Sequence, residues 1–168
     1  MSQHVNTVLE SEIISRVIRQ EWLDDGVLQQ TAYTLNPNET YLSVNRPAID
    51  TYEADVQAFV ISHDDFQFDN GKKFHCAVMP VSGVRGIKVM DDNNNPLSIE
   101  VEVEPRDVHT KSHAGIFVRT GAQNILPGRS LIGTSVPEAV SIDMILQDVR
   151  WELLALSTLE EHEVSLSK

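Results

Sequence analysis

The apolar and polar residues of this chain recur with two periods, one typical of strands and one typical of helices. The clearest strand signal is SIEVEVEP, residues 98–105, where apolar residues alternate with glutamates, as expected for one buried and one exposed face. GIKVM, residues 86–90, lies across the turn-rich DDNNNP and predicts the other arm of a hairpin. Further short apolar runs predict strands at residues 31–35, 40–44, 74–81 and 113–118.

Two segments carry the spacing of amphipathic helices. The first begins at Asp50, whose carboxylate can cap the helix, with a glutamate three residues later to complete a capping box. Its expected buried face consists of Tyr52, Val56, Phe59 and Val60. The second begins at Ser135, with a proline in the first turn and Glu138 as the capping partner, and continues to about Leu156. Its apolar residues repeat at three and four, which predicts one buried stripe.

The N-terminal segment is ambiguous. Residues 8–23, VLESEIISRVIRQEWL, have helical spacing, but their core is rich in β-branched residues and equally suits a strand. The following Asp24-Asp25-Gly26 predicts a tight turn, because glycine readily adopts a positive φ.

Together these elements predict an α+β fold. We expect a curved, mainly antiparallel sheet packed by two or three helices, including a long C-terminal helix. No linker divides the chain, so residues 1–158 are expected to form a single domain. Residues 159–168 are acidic and polar, and we expect them to form a flexible tail.

Composition narrows the possible partners. Of 168 residues, 41% are hydrophobic and 23% are charged, which are ordinary values for a globular domain. The net charge of -12 repels phosphate backbones and anionic lipids, so neither a nucleic acid nor a membrane is an expected partner. A single cysteine, Cys76, permits no disulfide within the chain, and no signal peptide is visible. These features indicate a cytoplasmic location.

HTKSH, residues 109–113, places two histidines four apart and raises the question of a metal site. Zinc needs three or four ligands, which here would include His75, Cys76 or Asp107. The segment reads as a loop entering a strand, where this spacing does not put both imidazoles on one face. We therefore predict no metal site. The chain also contains no phosphate-binding or dinucleotide-binding glycine motif, so no cofactor is predicted.

The glutamate stripe of residues 98–105 suggests a different role. Glu100, Glu102 and Glu104 would form an acidic strand face that can bind a protein partner with a basic surface. The alternative is that these charges only protect a sheet edge from aggregation.

The N-terminal third resembles a family of short bacterial proteins that have no established activity. The family pattern runs from an Arg-Val strand through an Asp-Gly turn and a proline-bearing loop to Leu-Ser-Val, with a later histidine entering an apolar strand. The matching pieces are Arg16-Val17, Asp25-Gly26, Ala32 to Pro37, Leu42-Ser43-Val44, and Ser112-His113-Ala114 with Ile116. The resemblance covers about the first 60 residues and this short later segment, and it implies a grouping but no function.

Four of the polar residues in these regions lie in or beside apolar strands, where an unpaired polar side chain is costly. If they share a cleft, Arg16 would hold a phosphate or carboxylate with help from Tyr41, Ser43 would bind a ribose or orient Arg16, and His113 would act as general acid–base. The Arg and Ser are loosely similar to the arrangement in ADP-ribosyltransferases, but the late catalytic glutamate of that family has no clear counterpart. Ordinary structural hydrogen bonding is the other explanation.

These observations suggest two functions. The first is a small acidic bacterial accessory module that binds a protein partner through Glu100, Glu102 and Glu104. The second is an enzyme that processes a nucleotide or NAD, with Arg16, Ser43 and His113 as catalytic residues and with Arg16 and Tyr41 as ligand-binding residues. The first rests on the acidity and the missing catalytic motifs, and the second on the polar residues within apolar strands.

Overall fold

The computed structural model describes residues 6–36, 39–91, 94–103, 110–127 and 139–165. The described strands are β1 (Ile13–Val17), β2 (Leu23–Asp24), β3 (Val27–Leu28), β4 (Leu42–Asn45), β5 (Lys73–Pro80), β6 (Ser98–Val103), β7 (His113–Thr120), β8 (Gln123–Asn124) and β9 (Thr158–Glu163). The described α-helices are α1 (Tyr52–Ser62), α2 (Val81–Arg85) and α3 (Ala139–Leu156). Short 3-10 helices cover Gln20–Trp22, Gln30–Tyr33 and Asp64–Phe66.

Most of the described strands form one open antiparallel sheet. Its order is β6-β7-β4-β1-β5-β9, and β8 pairs with β7. Strands β2 and β3 form a separate hairpin whose turn residues, Asp25 and Gly26, have φ of +53° and +79°. This is the predicted Asp-Gly turn, and its two positive φ values suit a tight hairpin. The α+β class, the mainly antiparallel sheet and the C-terminal helix are confirmed.

Helices pack on both faces of this sheet, because alternate side chains of its strands point to opposite sides. On one face, Val17, Phe74 and Cys76 pack against Val56 and Val60 of α1. On the other face, a larger apolar cluster joins β1, β4, β5, β6 and β7 to α2 and α3. The sheet is therefore the middle layer of three.

Several local predictions are corrected. Residues 31–35 do not form a strand, since most of them belong to the 3-10 helix Gln30–Tyr33. Residues 86–90 follow α2 and meet the far side of their turn only through a bridge between Met90 and Pro96, while β6 pairs with β7 instead. The ambiguous segment 8–23 contains β1 and a 3-10 helix. The predicted cap of α3 at Ser135 and Glu138 lies outside the described residues.

The expected acidic tail is also corrected. Residues 158–163 form β9, which pairs along β5 from Thr158 opposite Val78 to Glu163 opposite Lys73. Composition alone suggested a solvated tail. The backbone N–H and C=O groups along the free edge of β5 instead offer hydrogen-bonding partners to these residues. The ion pair between Lys73 and Glu161, at 2.8 Å, adds a side-chain contact across the two strands.

A buried ion pair ties the start of the described chain to β4. The Arg46 guanidinium is fully buried and donates to both carboxylate oxygens of Glu12, at 2.9 and 2.8 Å. Its Nη2 also donates to the carbonyl of Thr7 at 2.9 Å, and the backbone N–H of Leu9 donates to Glu12. Such a pair is stable only when these further hydrogen bonds satisfy the buried groups.

None of the described helices has the length and apolar character needed to cross a bilayer.

Candidate functional site

A cleft of about 650 Å³ lies beside α1, at the junction of β1 and β4. This volume is within the range of small-molecule sites. The two strands share a single register pair, Ser15 opposite Asn45, so their backbones separate beyond it. Helix α1 covers Val17 of β1 but not the adjoining part of β4 and β7, whose polar side chains form the floor of the cleft.

Arg16 stands where β1 and β4 separate. Its Nε donates to the carbonyl of Ala32 at 2.7 Å, and its Nη1 donates to the carbonyl of Ser43 at 2.7 Å. The guanidinium thus replaces part of the missing backbone ladder. It also lies over the ring of Trp22, with 4.9 Å between the guanidinium carbon and the ring centroid.

Among the residues that the structure describes, no carboxylate pairs closely with the charge of Arg16. The side chain is more than nine-tenths buried, yet no described carboxylate lies within 4 Å of it. Burial lowers its pKa to about 10, and the nearby Tyr33 and Glu39 offset part of that shift. Arg16 therefore remains a cation at neutral pH. A guanidinium has five N–H donors, two of which are used in these hydrogen bonds, and Arg16 is among the residues that line the cleft.

Ser43 and His113 lie on the floor of the same cleft. Strand β4 places the Ser43 side chain toward it, and His113 begins β7 opposite Asn45. The Ser43 Oγ is 3.3 Å from the His113 Nε2, which is hydrogen-bond distance. The three residues predicted as catalytic are therefore brought together, although they are separated by up to 97 positions in the sequence.

Tyr41 lies beside the cleft and not in its lining. Its ring stacks on Phe117 with 5.1 Å between centroids and is 5.8 Å from the His113 ring. The ring sits directly over Gly115, where an added Cβ would lie 2.4 Å from a ring carbon. The geometry accordingly gives Tyr41 a role in packing against His113 and no direct contact with the cleft.

The loop of HTKSH is held to the cleft by Ser112. This serine is fully buried, and its Oγ and backbone N–H donate to the Asp55 carboxylate of α1, at 2.7 and 3.1 Å. Asn45 donates to the same Oγ at 2.9 Å. The sequence pattern drew attention to the histidines, but the serine between them fixes the position of His113. His109 lies outside the described residues, within which no cluster of three or more His, Cys, Asp or Glu could hold a metal ion.

Helix α1 supplies a wall that sequence analysis missed. Asp55, Ala58, Phe59 and Ser62 all line the cleft, at the spacing of one helix face. Phe59 was expected in the core but is 38% exposed, so that assignment is wrong. The core contacts of α1 use Val56 and Val60. The sequence did contain a signal for this wall, because a second face of α1 combines a small residue, an aromatic ring and polar groups.

The acidic stripe on β6 is partly neutralised within the chain. Arg85 lies 3.3 Å from Glu100, and Arg119 donates to both carboxylate oxygens of Glu102, at 2.7 and 3.0 Å. These hydrogen bonds lower the pKa of Glu102, and burial partly offsets that effect. Glu104 lies outside the described residues. β6 is the outermost described strand at one end of the sheet, which is where charges that protect an edge from aggregation are expected.

Comparisons with protein-family models, with curated proteins and with solved structures found no match to this chain. The resemblance to a bacterial family therefore stays a prediction, and any function must be inferred from the geometry of the cleft.

Proposed function

We propose that this protein binds a small organic anion in the cleft, with Arg16 as the anchoring cation. The observation that carries the proposal is the buried Arg16 guanidinium, which lines the cleft, has unused N–H donors and has no described carboxylate within 4 Å. Burying an uncompensated charge is costly, so a bound carboxylate or phosphate would complete the arrangement. Ser43, Asn45 and His113 offer further hydrogen bonds on the floor.

Thermal-shift measurements with inorganic phosphate, AMP, NAD and benzoate test this proposal. A ligand that binds only the folded state raises stability by mass action, by about 2.7 kcal/mol at a hundred times its Kd. We expect at least one of these probes to raise the Tm. We also expect Arg16→Lys to bind that probe at least tenfold more weakly and so to show a smaller rise in Tm, because lysine cannot form the paired N–H contacts of a guanidinium.

A matched pair of variants separates the cleft from the rest of the surface. Ala58 and Ala54 are both exposed on α1, one turn apart, but only Ala58 lines the cleft. Ala58→Trp should obstruct part of the cleft and weaken binding, whereas Ala54→Trp should bind as the wild type does. Equal binding by both variants, or no shift with any of the four probes, would overturn the proposal.

A second function, processing of a nucleotide or NAD, is favoured by one further contact. His113 and Ser43 are within hydrogen-bond distance in the cleft that contains Arg16, so a proton acceptor and a hydroxyl would lie close to a bound anion. Glu39 also lines the cleft and accepts a hydrogen bond from the backbone N–H of Asn36. Turnover of NAD or AMP that is lost in His113→Gln, while binding persists, would support an enzyme. Binding without turnover would leave a ligand-binding protein.

Binding of a basic protein partner on β6 stays a prediction. Its test is whether Glu100→Gln with Glu102→Gln releases a protein that copurifies with the wild-type chain from its native host.

A further inference from the structure

One wall of the cleft is aromatic. Phe59 stacks on His63 with 4.3 Å between centroids and meets Phe66 edge to face at 4.8 Å. Phe66 in turn meets Trp22 edge to face at 6.0 Å. All four rings line the cleft, and Phe59 is 38% exposed. Phe59 thus contacts two aromatic neighbours and still leaves part of its surface accessible to a further ring.

This aromatic wall is continuous with the anion anchor. The Arg16 guanidinium carbon is 4.9 Å from the Trp22 centroid, and each subsequent ring-to-ring step is no longer than 6.0 Å. A ligand long enough to follow this row of rings would touch Arg16 with one end and the aromatic wall with the other. Inorganic phosphate, which has no apolar part, would use only the first of these two features.

The charges in the cleft limit the ligand to a low negative charge. Glu21, Glu39 and Asp55 all line the cleft with Arg16 and Arg19. Arg19 already pairs with Asp65, at 2.6 Å. A polyphosphate would bring several charges close to these carboxylates, and like charges repel, although the Glu21 side chain is 72% exposed and its repulsion is screened by solvent. The carboxylates of Glu21 and Glu39 would be able to accept hydrogen bonds from ligand amino or hydroxyl groups, whereas Asp55 already accepts from Thr51 and Ser112.

We infer that the anion bound by Arg16 carries a planar ring, which stacks on Phe59, and has a single carboxylate or phosphate group. This inference rests on the proposed function and specifies its ligand class. An aryl carboxylate and a nucleoside monophosphate share this chemistry. The ring supplies affinity through the aromatic wall, and the anionic group fixes the orientation through Arg16.

Calorimetric titration of the full chain with AMP, ATP, adenosine, benzoate and inorganic phosphate tests the inference. AMP or benzoate should bind more tightly than phosphate or ATP, and adenosine, which has no anionic group, should bind more weakly than AMP. The stronger of AMP and benzoate identifies which of the two sources fits the cleft. Equal affinity for phosphate and for the ring-bearing anions would overturn the inference.

Phe59→Leu should weaken the ring-bearing anion roughly tenfold or more, since stacking of one ring on an aromatic side chain contributes substantially to affinity. The matched control is Ile61→Ala, on the same helix, because Ile61 is 51% exposed and does not line the cleft. That variant should bind as the wild type does. Circular dichroism and the Tm establish that both variants fold.

The two proposals fail in different ways. If Arg16→Lys abolishes binding while Phe59→Leu changes the affinity for AMP and benzoate less than twofold, the ring is not recognised and only this inference falls. If none of the probes binds the wild-type chain, the proposed function falls, and this inference with it.

Discussion

Removing the guanidinium of Arg46 should be among the most destabilising single changes in the chain. The Arg46 side chain is 0% exposed and that of Glu12 is 6% exposed, and two hydrogen bonds join them. Arg46→Met retains most of the volume but leaves a buried carboxylate without its counter-charge. Breaking a buried pair in this way costs about 3–5 kcal/mol. For a domain of this size, that loss lowers the Tm by roughly 6–20 °C.

Urea denaturation followed by circular dichroism measures this loss, because the midpoint falls while the slope stays constant if only stability changes. The matched control is Arg119→Met, which removes an arginine that also donates twice to a glutamate, Glu102, but in a pair whose side chains are 23% and 43% exposed. It should cost about 1 kcal/mol or less.

The double variant completes the cycle. Arg46→Met with Glu12→Gln removes both charges, so it should cost less than the two single changes added together, by about 0.5–3 kcal/mol. If Arg46→Met costs no more than Arg119→Met, or if the effects simply add, the buried pair does not hold these segments together.

Two further predictions concern titratable side chains. Burial raises the pKa of Cys76 to about 11, so an alkylating reagent at pH 8 should modify this fully buried thiol only as the chain unfolds, and rapid labelling of the native protein would contradict that expectation. Hydrogen bonds from Arg119 lower the pKa of Glu102 below its ordinary value of 4.5. Its contribution is therefore present above pH 4.5 and is lost as the pH falls through the lowered folded value. Glu102→Gln should be less stable than the wild type by about 0.5 kcal/mol at pH 7, a small figure because the pair is solvent-screened, and this difference should shrink as the pH falls below 4.5.

Local sequence patterns identified the elements whose apolar residues recur with a clear strand or helix period within the segment itself. The apolar runs of β5 and β7 and the stripe of α3 needed no distant partner to be recognised. Residues 86–90 have a comparable pattern, but β7 provides a longer surface for pairing with β6, and tertiary packing overrides the local preference. Residues 158–163 likewise form β9, because pairing with β5 outweighs the polar composition that suggested a tail.

The candidate site was only half visible in the sequence. Arg16, Ser43 and His113 could be found because each interrupts an apolar strand region. The structural pair of Arg46, which lies outside the cleft, could not be found, since an arginine in a polar Asn-Arg-Pro stretch gives no sign that it will be buried and paired with Glu12, 34 positions earlier. Phe59 was misassigned because helical periodicity identifies one apolar face and cannot show that a neighbouring ring remains uncovered.

The position of β9 has a consequence for the order in which the chain can fold during synthesis. Strand β5 can pair with β1 once both have emerged, but the strand that covers its other edge is made about eighty positions later. Pairings between such distant segments form slowly, and an apolar strand with an open edge can recruit other chains in the meantime. Glu160, Glu161 and Glu163 then place negative charges on the strand that closes this edge, which hinders further strand addition once the domain is complete.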